Sequence, residues 1–214
     1  MEVRVSARCT RWIAGWTLAL AAAGVAAGPA EDYQRGLLAY QRGDVAAAMA
    51  ALKPPAASGH APSQALLAFI LDRADFTDEA VRLYLLAAVQ DDPEAIAALG
   101  GLYLTGRGVA KDEKRGWAHF SKAAELGHEK AIQAVADRYL KQWPAASGPD
   151  EAEAQKALRR AAEKGYLPAV DALAKAYVNG GLGLQADATQ AQQWQSRAAE
   201  LRRQRGLPIP KART

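Results

Sequence analysis

From residue 28 onward the apolar positions repeat with a helical period and then repeat again as larger blocks. Ala95, Leu99 and Tyr103 stand four residues apart, as do Ala131, Val135 and Tyr139, and Ala169, Leu173 and Tyr177. Each trio falls on a single helix face. Alanine pairs follow downstream at Ala123-Ala124, Ala161-Ala162 and Ala198-Ala199, with Ala87-Ala88 belonging to an earlier block. The short turns Gly59-His60, Asp91-Asp92, Gly127-His128 and Gly165-Tyr166 set the register, and they lie 32, 36 and 38 residues apart. The spacing varies while the helical positions stay aligned, so the variation belongs to loops.

A unit this short cannot bury its own apolar face, and it is stable only when stacked on copies of itself. The pattern predicts first helices near 31–42, 61–73, 93–105, 129–142 and 167–179, and second helices near 45–57, 78–90, 112–126, 150–164 and 187–204. Start signals are Asp44, Thr77 before Asp78-Glu79, Asp92 before Pro93, Pro149-Asp150 with Glu153, and Asp187 with Gln190. Stop signals are Gly43, Gly59, Gly106, Gly127, Gly165 and Gly180. Period-two alternation is absent, and alanine and leucine dominate, which argues against strands. Alanine at the first anchor lets two helices approach, the aliphatic fills the seam and tyrosine extends it. Tyr84, Phe120 and Leu158 supply bulk three residues before their alanine pairs.

The third unit reads Ala95, Leu99-Gly100, Tyr103, Gly106, Gly108-Val109, Asp112, Trp117, Phe120, Lys122-Ala123-Ala124-Glu125 and Gly127. It resembles the Sel1-like repeat of the tetratricopeptide superfamily, and the resemblance extends over residues 31–201 with decreasing fidelity away from this unit. Gly36 to Asp44 resembles the first unit of exported bacterial Sel1-like proteins. The resemblance implies an all-α, right-handed α-solenoid of about five antiparallel helix pairs that serves as an adaptor. The second unit departs from the pattern with a short loop over Asp72–Phe76 that lacks the glycine pair. The fourth replaces Gly-x-Gly with an insertion that runs from Trp143 through Pro144 to Pro149. Trp143 is either a lid on the neighbouring seam or an exposed anchor for a partner.

The resemblance implies that first helices line the concave side. Gln133, Asp137 and Lys141 then form one polar ladder, and Asp171, Lys175 and Asn179 form the next. With Gln41, Arg42, Asp72 and Arg73 they make either a mixed-charge groove for a protein or peptide, or an ordinary solvated face.

Residues 1–30 differ in composition, with a signal peptide expected over 1–27. Arg4, Arg8 and Arg11 precede an apolar run from Trp12 to Ala27, with small residues Val25 and Ala27 at its end. This pattern predicts a secretory signal cleaved after Ala27 or Ala30, or else an uncleaved anchor, and a periplasmic or secreted location. No later segment reads as a membrane span. The solenoid is expected over 28–205 and a proline-containing tail over 206–214. Cys9, the sole cysteine, lies within the signal, so the mature chain forms no internal disulfide and depends on packing.

Formal charge is +4 over the full chain, and removing Arg4, Arg8, Arg11 and Glu2 leaves 24 bases against 22 acids, a net charge of +2. With the two signs interspersed there is no basic stripe for phosphates, and nucleic acid is not expected as a partner. Histidines occur at His60, His119 and His128 without metal-ligand spacing, so neither a metal nor a cofactor is expected. Gly106-x-Gly108 follows a helix and not a strand, and no Gly-x-Ser-x-Gly elbow occurs, which argues against nucleotide cradling and serine hydrolysis. The expectation is a non-enzymatic scaffold in an envelope or polysaccharide-export assembly. Two alternatives are a cell-wall-active or β-lactamase-like hydrolase, which the resemblance implies for some typically cysteine-rich relatives, and a structural subunit stacked on another solenoid.

Overall fold

A computed structural model describes residues 28–142 and 151–209. Ten helices follow in order: α1 (Pro29–Gln41), α2 (Val45–Ala57), α3 (Ala61–Arg73), α4 (Thr77–Ala88), α5 (Pro93–Thr105), α6 (Glu113–Glu125), α7 (Glu129–Gln142), α8 (Glu151–Glu163), α9 (Leu167–Asn179) and α10 (Ala188–Gln204). Among the described residues there is no strand, only a single bridge between Gly181 and Leu184. No helix among them is long and apolar enough to cross a membrane. Trp143 and the Pro149-Asp150 start signal lie outside the described residues, as do residues 1–27.

Local chemistry explains the boundaries. Asp44 and Asp92 each accept the backbone N–H three residues ahead at 2.9 Å, and Asp187 takes those of Thr189 and Gln190 at 2.8 and 3.0 Å. These contacts satisfy donors that the first turn leaves unpaired. Thr77 does not cap α4 as expected. The helix begins one residue earlier, so Thr77 is its first residue and the cap position falls on Phe76, whose side chain has no oxygen to offer. All six stop glycines take φ between +69° and +94°. Where the second unit lacks glycine, Asp75 and Asp91 adopt the left-handed region at +63° and +58°, which short polar side chains tolerate better than most.

Consecutive helices pair as five hairpins that stack in chain order. Ala95, Ala131 and Ala169 are fully buried, Ser63 fills the same position in the second hairpin, and Tyr139 and Tyr177 are buried at the end of the seam. The core forms two clusters that share α5. Ala95, Leu99 and Leu102 pack toward the first two hairpins, whereas Ile96 and Ala97 pack toward the last two. First helices of neighbouring hairpins touch at α1–α3, α3–α5 and α7–α9, while second helices do so at α6–α8. The first helices thus line the inner side of the curve, with a local reversal between the third and fourth hairpins.

The loops of the third and fifth hairpins latch each of them to the hairpin before it. A Cβ on Gly108 would lie 2.6 Å from Thr77 Cγ2 and 3.1 Å from Val81 Cγ2, so the third hairpin's loop lies directly on α4. In the fifth hairpin the carbonyl of buried Leu182 accepts from Gln155 Nε2 on α8 at 2.8 Å. Val81 and Gln155 hold the same place, each six residues before the alanine that packs its helix. Both loops close with one backbone bond, Asp112 N–H to the Tyr103 carbonyl at 2.9 Å and Asp187 N–H to that of Tyr177 at 2.8 Å.

Candidate functional site

The inner side is built from the outward positions of α1, α3, α5, α7 and α9. Aligned on their first residues, α3, α5, α7 and α9 carry Phe69, Gly101, Asp137 and Lys175 at one position, and Arg73, Thr105, Lys141 and Asn179 one turn later. Gln41 ends α1, and Arg42 follows as its exposed C-cap.

The carboxylates of the ladders are engaged within the chain. Asp72 meets Arg107 Nη2 at 3.1 Å, and that guanidinium also donates to the Asp72 carbonyl at 3.3 Å. The Tyr166 hydroxyl donates to Asp137 at 2.8 Å. Burial, then the hydrogen bond and charge of Asp137, push the phenol above its ordinary range, so it remains the donor. Asp171 pairs with Arg202 at 2.5 Å. Gln133 reaches Glu129 at 3.5 Å. In contrast, Arg42, Arg73, Lys141, Lys175, Gln41 and Asn179 are exposed, and none of these four cations has an ion-pair partner among the described residues.

An aromatic cluster at the first two hairpins was not visible in the repeat pattern. Tyr40 of α1 meets Phe69 of α3 edge-on with ring centroids 5.8 Å apart, and the Arg73 guanidinium lies 5.8 Å from the Phe69 centroid. Phe69 is 39% exposed. Aligning α3 on Ser63, Leu67 and Leu71 would have placed Phe69 at an outward position, but that trio departs from Ala-Leu-Tyr. Leu85, Leu86 and Val89 also form an exposed apolar strip along and just beyond α4, where the fourth hairpin has Arg159, Arg160 and Glu163.

The histidines act locally. His128 Nδ1 accepts the Ala131 N–H at 3.0 Å while its Nε2 faces Glu94 at 3.3 Å, and His60 Nδ1 meets the Ser63 hydroxyl at 2.8 Å. His119 stacks on Tyr103 at 5.3 Å. Burial first, and the Arg115 charge second, lower its pKa from the ordinary 6.5. Folding therefore favours the neutral ring, whereas the unfolded chain takes up a proton near 6.5. Stability should fall as pH drops through that value and level off below the lowered folded pKa. Urea midpoints at pH 7.5 and 5.5 should accordingly differ less for His119→Gln than for the parent chain. Among the described residues there is no cluster of three or more side chains suited to hold a metal.

The sequence profile of the Sel1 repeat family matches residues 93–128 and 168–202, the third and fifth hairpins. Fidelity thus does not decline steadily away from the third unit, since the fourth, with its insertion, interrupts it. A Sel1 repeat protein from Oxalobacter formigenes superposes with a TM-score of 0.62 at 25% identity, covering 81% of this chain and 73% of that one. A protective antigen of uropathogenic Escherichia coli, also with this repeat fold, gives 0.58 at 24% identity, covering 81% of this chain and 38% of its own. An uncharacterized protein of Neisseria meningitidis serogroup B is 33% identical over 131 residues, which is 61% of this chain and 27% of that protein. The chain therefore spans about a quarter of the length of the curated relative it matches. Repeating anchors, stacked hairpins and the match at two of the five units lead to one assignment: the third and fifth hairpins are Sel1 repeats within an α-solenoid that has the fold of Sel1 repeat proteins.

Proposed function

We propose that this protein is a non-enzymatic scaffold that binds a protein or peptide partner along the inner side of the solenoid. One contrast carries the reading. The inward anchors hardly change, being Ser63, Ala95, Ala131 and Ala169 at the first position and Leu67, Leu99, Val135 and Leu173 at the second. The outward position two residues beyond the second anchor runs Phe69, Gly101, Asp137 and Lys175. Packing demands uniformity, whereas a surface that recognises a partner needs different chemistry at successive steps. Sel1 repeats generally mediate protein–protein contacts, which agrees with this use.

The basic and apolar segment within residues 1–27 supports export, with the partner in the periplasm and within an envelope or polysaccharide-export assembly. The test is photo-crosslinking in cells that make the full chain, with benzoylphenylalanine placed at Gly101, where a Cβ meets nothing within 4 Å, or at Val89 on the outer strip. A discrete crosslinked partner from Gly101 and none from Val89 is the expected result, and it should weaken when Lys141 and Lys175 are changed to Glu. Crosslinks from Val89 alone would move the binding surface to the outside.

A further inference from the structure

The inner side is chemically lopsided. Asp72 and Asp171 are paired with Arg107 and Arg202, and Asp137 accepts from the Tyr166 hydroxyl, while Arg42, Arg73, Lys141 and Lys175 remain exposed without an ion pair among the described residues. The final positions of the first helices, Gln41, Arg73, Thr105, Lys141 and Asn179, contain no acid. Helix macrodipoles favour a base in the last turn and account for Arg73 and Lys141. They also favour Arg42 at the C-cap of α1, but they do not account for Lys175, which precedes the last turn of α9. Nor do they account for the sequestering of three acids. At the same end of the array as Arg42 and Arg73, Phe69 presents an exposed ring supported by Tyr40. Gly101 occupies the matching position on α5 with open space above it.

We propose that the inner side binds an extended acidic segment of a partner protein, with one aromatic or large aliphatic side chain seated between Phe69 and Gly101. This rests on the scaffold reading above and names the chemistry of its partner. Packed neighbouring helices lie about 8–10 Å apart, so the four steps across five first helices span at least about 32–40 Å, the step from α5 to α7 being the wider one. An extended chain covers that distance in about 12 residues at ~3.3 Å each. Carboxylates spaced along such a segment would meet cations at the second, fourth and fifth hairpins, and the apolar side chain would fix its register. Binding energy would concentrate at the desolvated ring, while the charges would mainly speed association and make it sensitive to salt.

The test uses the full chain and a fluorescein-labelled positional library of 12-residue peptides. Each peptide has Phe or Leu at one position and Glu, Ser or Lys elsewhere, and binding is read by anisotropy. Glu-rich members with Phe should bind, weakening at least tenfold between 50 and 300 mM salt. The Arg73→Glu/Lys175→Glu double variant should lose at least tenfold, and Phe69→Ala should erase the preference for Phe over Ser. Leu86→Ser on the outer strip should bind unchanged, and circular dichroism would verify folding of each variant. Equal or tighter binding of Lys-rich members, unchanged binding by the double variant, or displacement by polygalacturonate with higher affinity would overturn the acidic-peptide assignment. Failure of every peptide while the Gly101 crosslink still forms would also overturn it but leave the scaffold reading standing. Failure of both would remove the reading as well.

Discussion

Leu99→Ala should destabilise the protein by about 3 kcal/mol, and the loss should be confined to one side of α5. Leu99 is fully buried among residues of the first three hairpins, and truncation leaves a cavity that neighbouring helices cannot close without losing contacts elsewhere. Leu173, equally enclosed, belongs to the other cluster. In a stacked array, stability is approximately the sum of each unit and its interfaces, so the two substitutions should report separately. Amide hydrogen exchange checks this. Leu99→Ala should speed exchange in α3 and α4 while α9 stays near parental rates, and Leu173→Ala should do the reverse. Uniform acceleration throughout by either variant would show that the two clusters unfold as one.

Substituting alanine at two nearby glycines should change stability in opposite directions. A Cβ on Gly116 would lie 2.7 Å from Leu104 Cδ2 and 3.0 Å from the Gly100 carbonyl oxygen. A side chain can turn away but the backbone of α5 cannot, so α5 and α6 must separate. Gly116→Ala should cost about 2 kcal/mol from overpacking. Gly101, also helical, has nothing within 4 Å of its added Cβ. Gly101→Ala should therefore add about 0.5–1 kcal/mol by removing backbone freedom from the unfolded chain. Urea titrations of the two variants should move the midpoint to opposite sides of the parent. A stabilised Gly116→Ala would mean that the hairpin is looser than the contact distances require.

The helices were legible because their signals are local. Asp44, Asp92 and Asp187 cap the helices their positions announced, and the predicted bounds of α2, α3, α5, α7 and α9 match the observed ones. Thr77 misled because the start signal could be read one residue either way, and only the packing of the short Asp72–Phe76 connection decides between them. The inner face was less legible. Spacing placed Asp137 and Asp171 on outward ladders, but their partners Tyr166 and Arg202 lie 29 and 31 residues away in sequence. No periodicity reveals which charges a fold will pair across that distance. Phe69 was hidden for a related reason: a large apolar residue in a helix reads as core until the register of its neighbours is known.

The latches between hairpins have a direction. The loop over Gly108 rests on α4, and Leu182 is held from α8, so in both cases the later segment settles on a platform that comes earlier in the chain. Whether the chain emerges from a ribosome or from an export channel, that platform arrives first, and each of these two loops finds its seat already made. Growth from the amino end can thus proceed by accretion, whereas a chain shortened from that end would leave its first remaining loop without a surface to rest on.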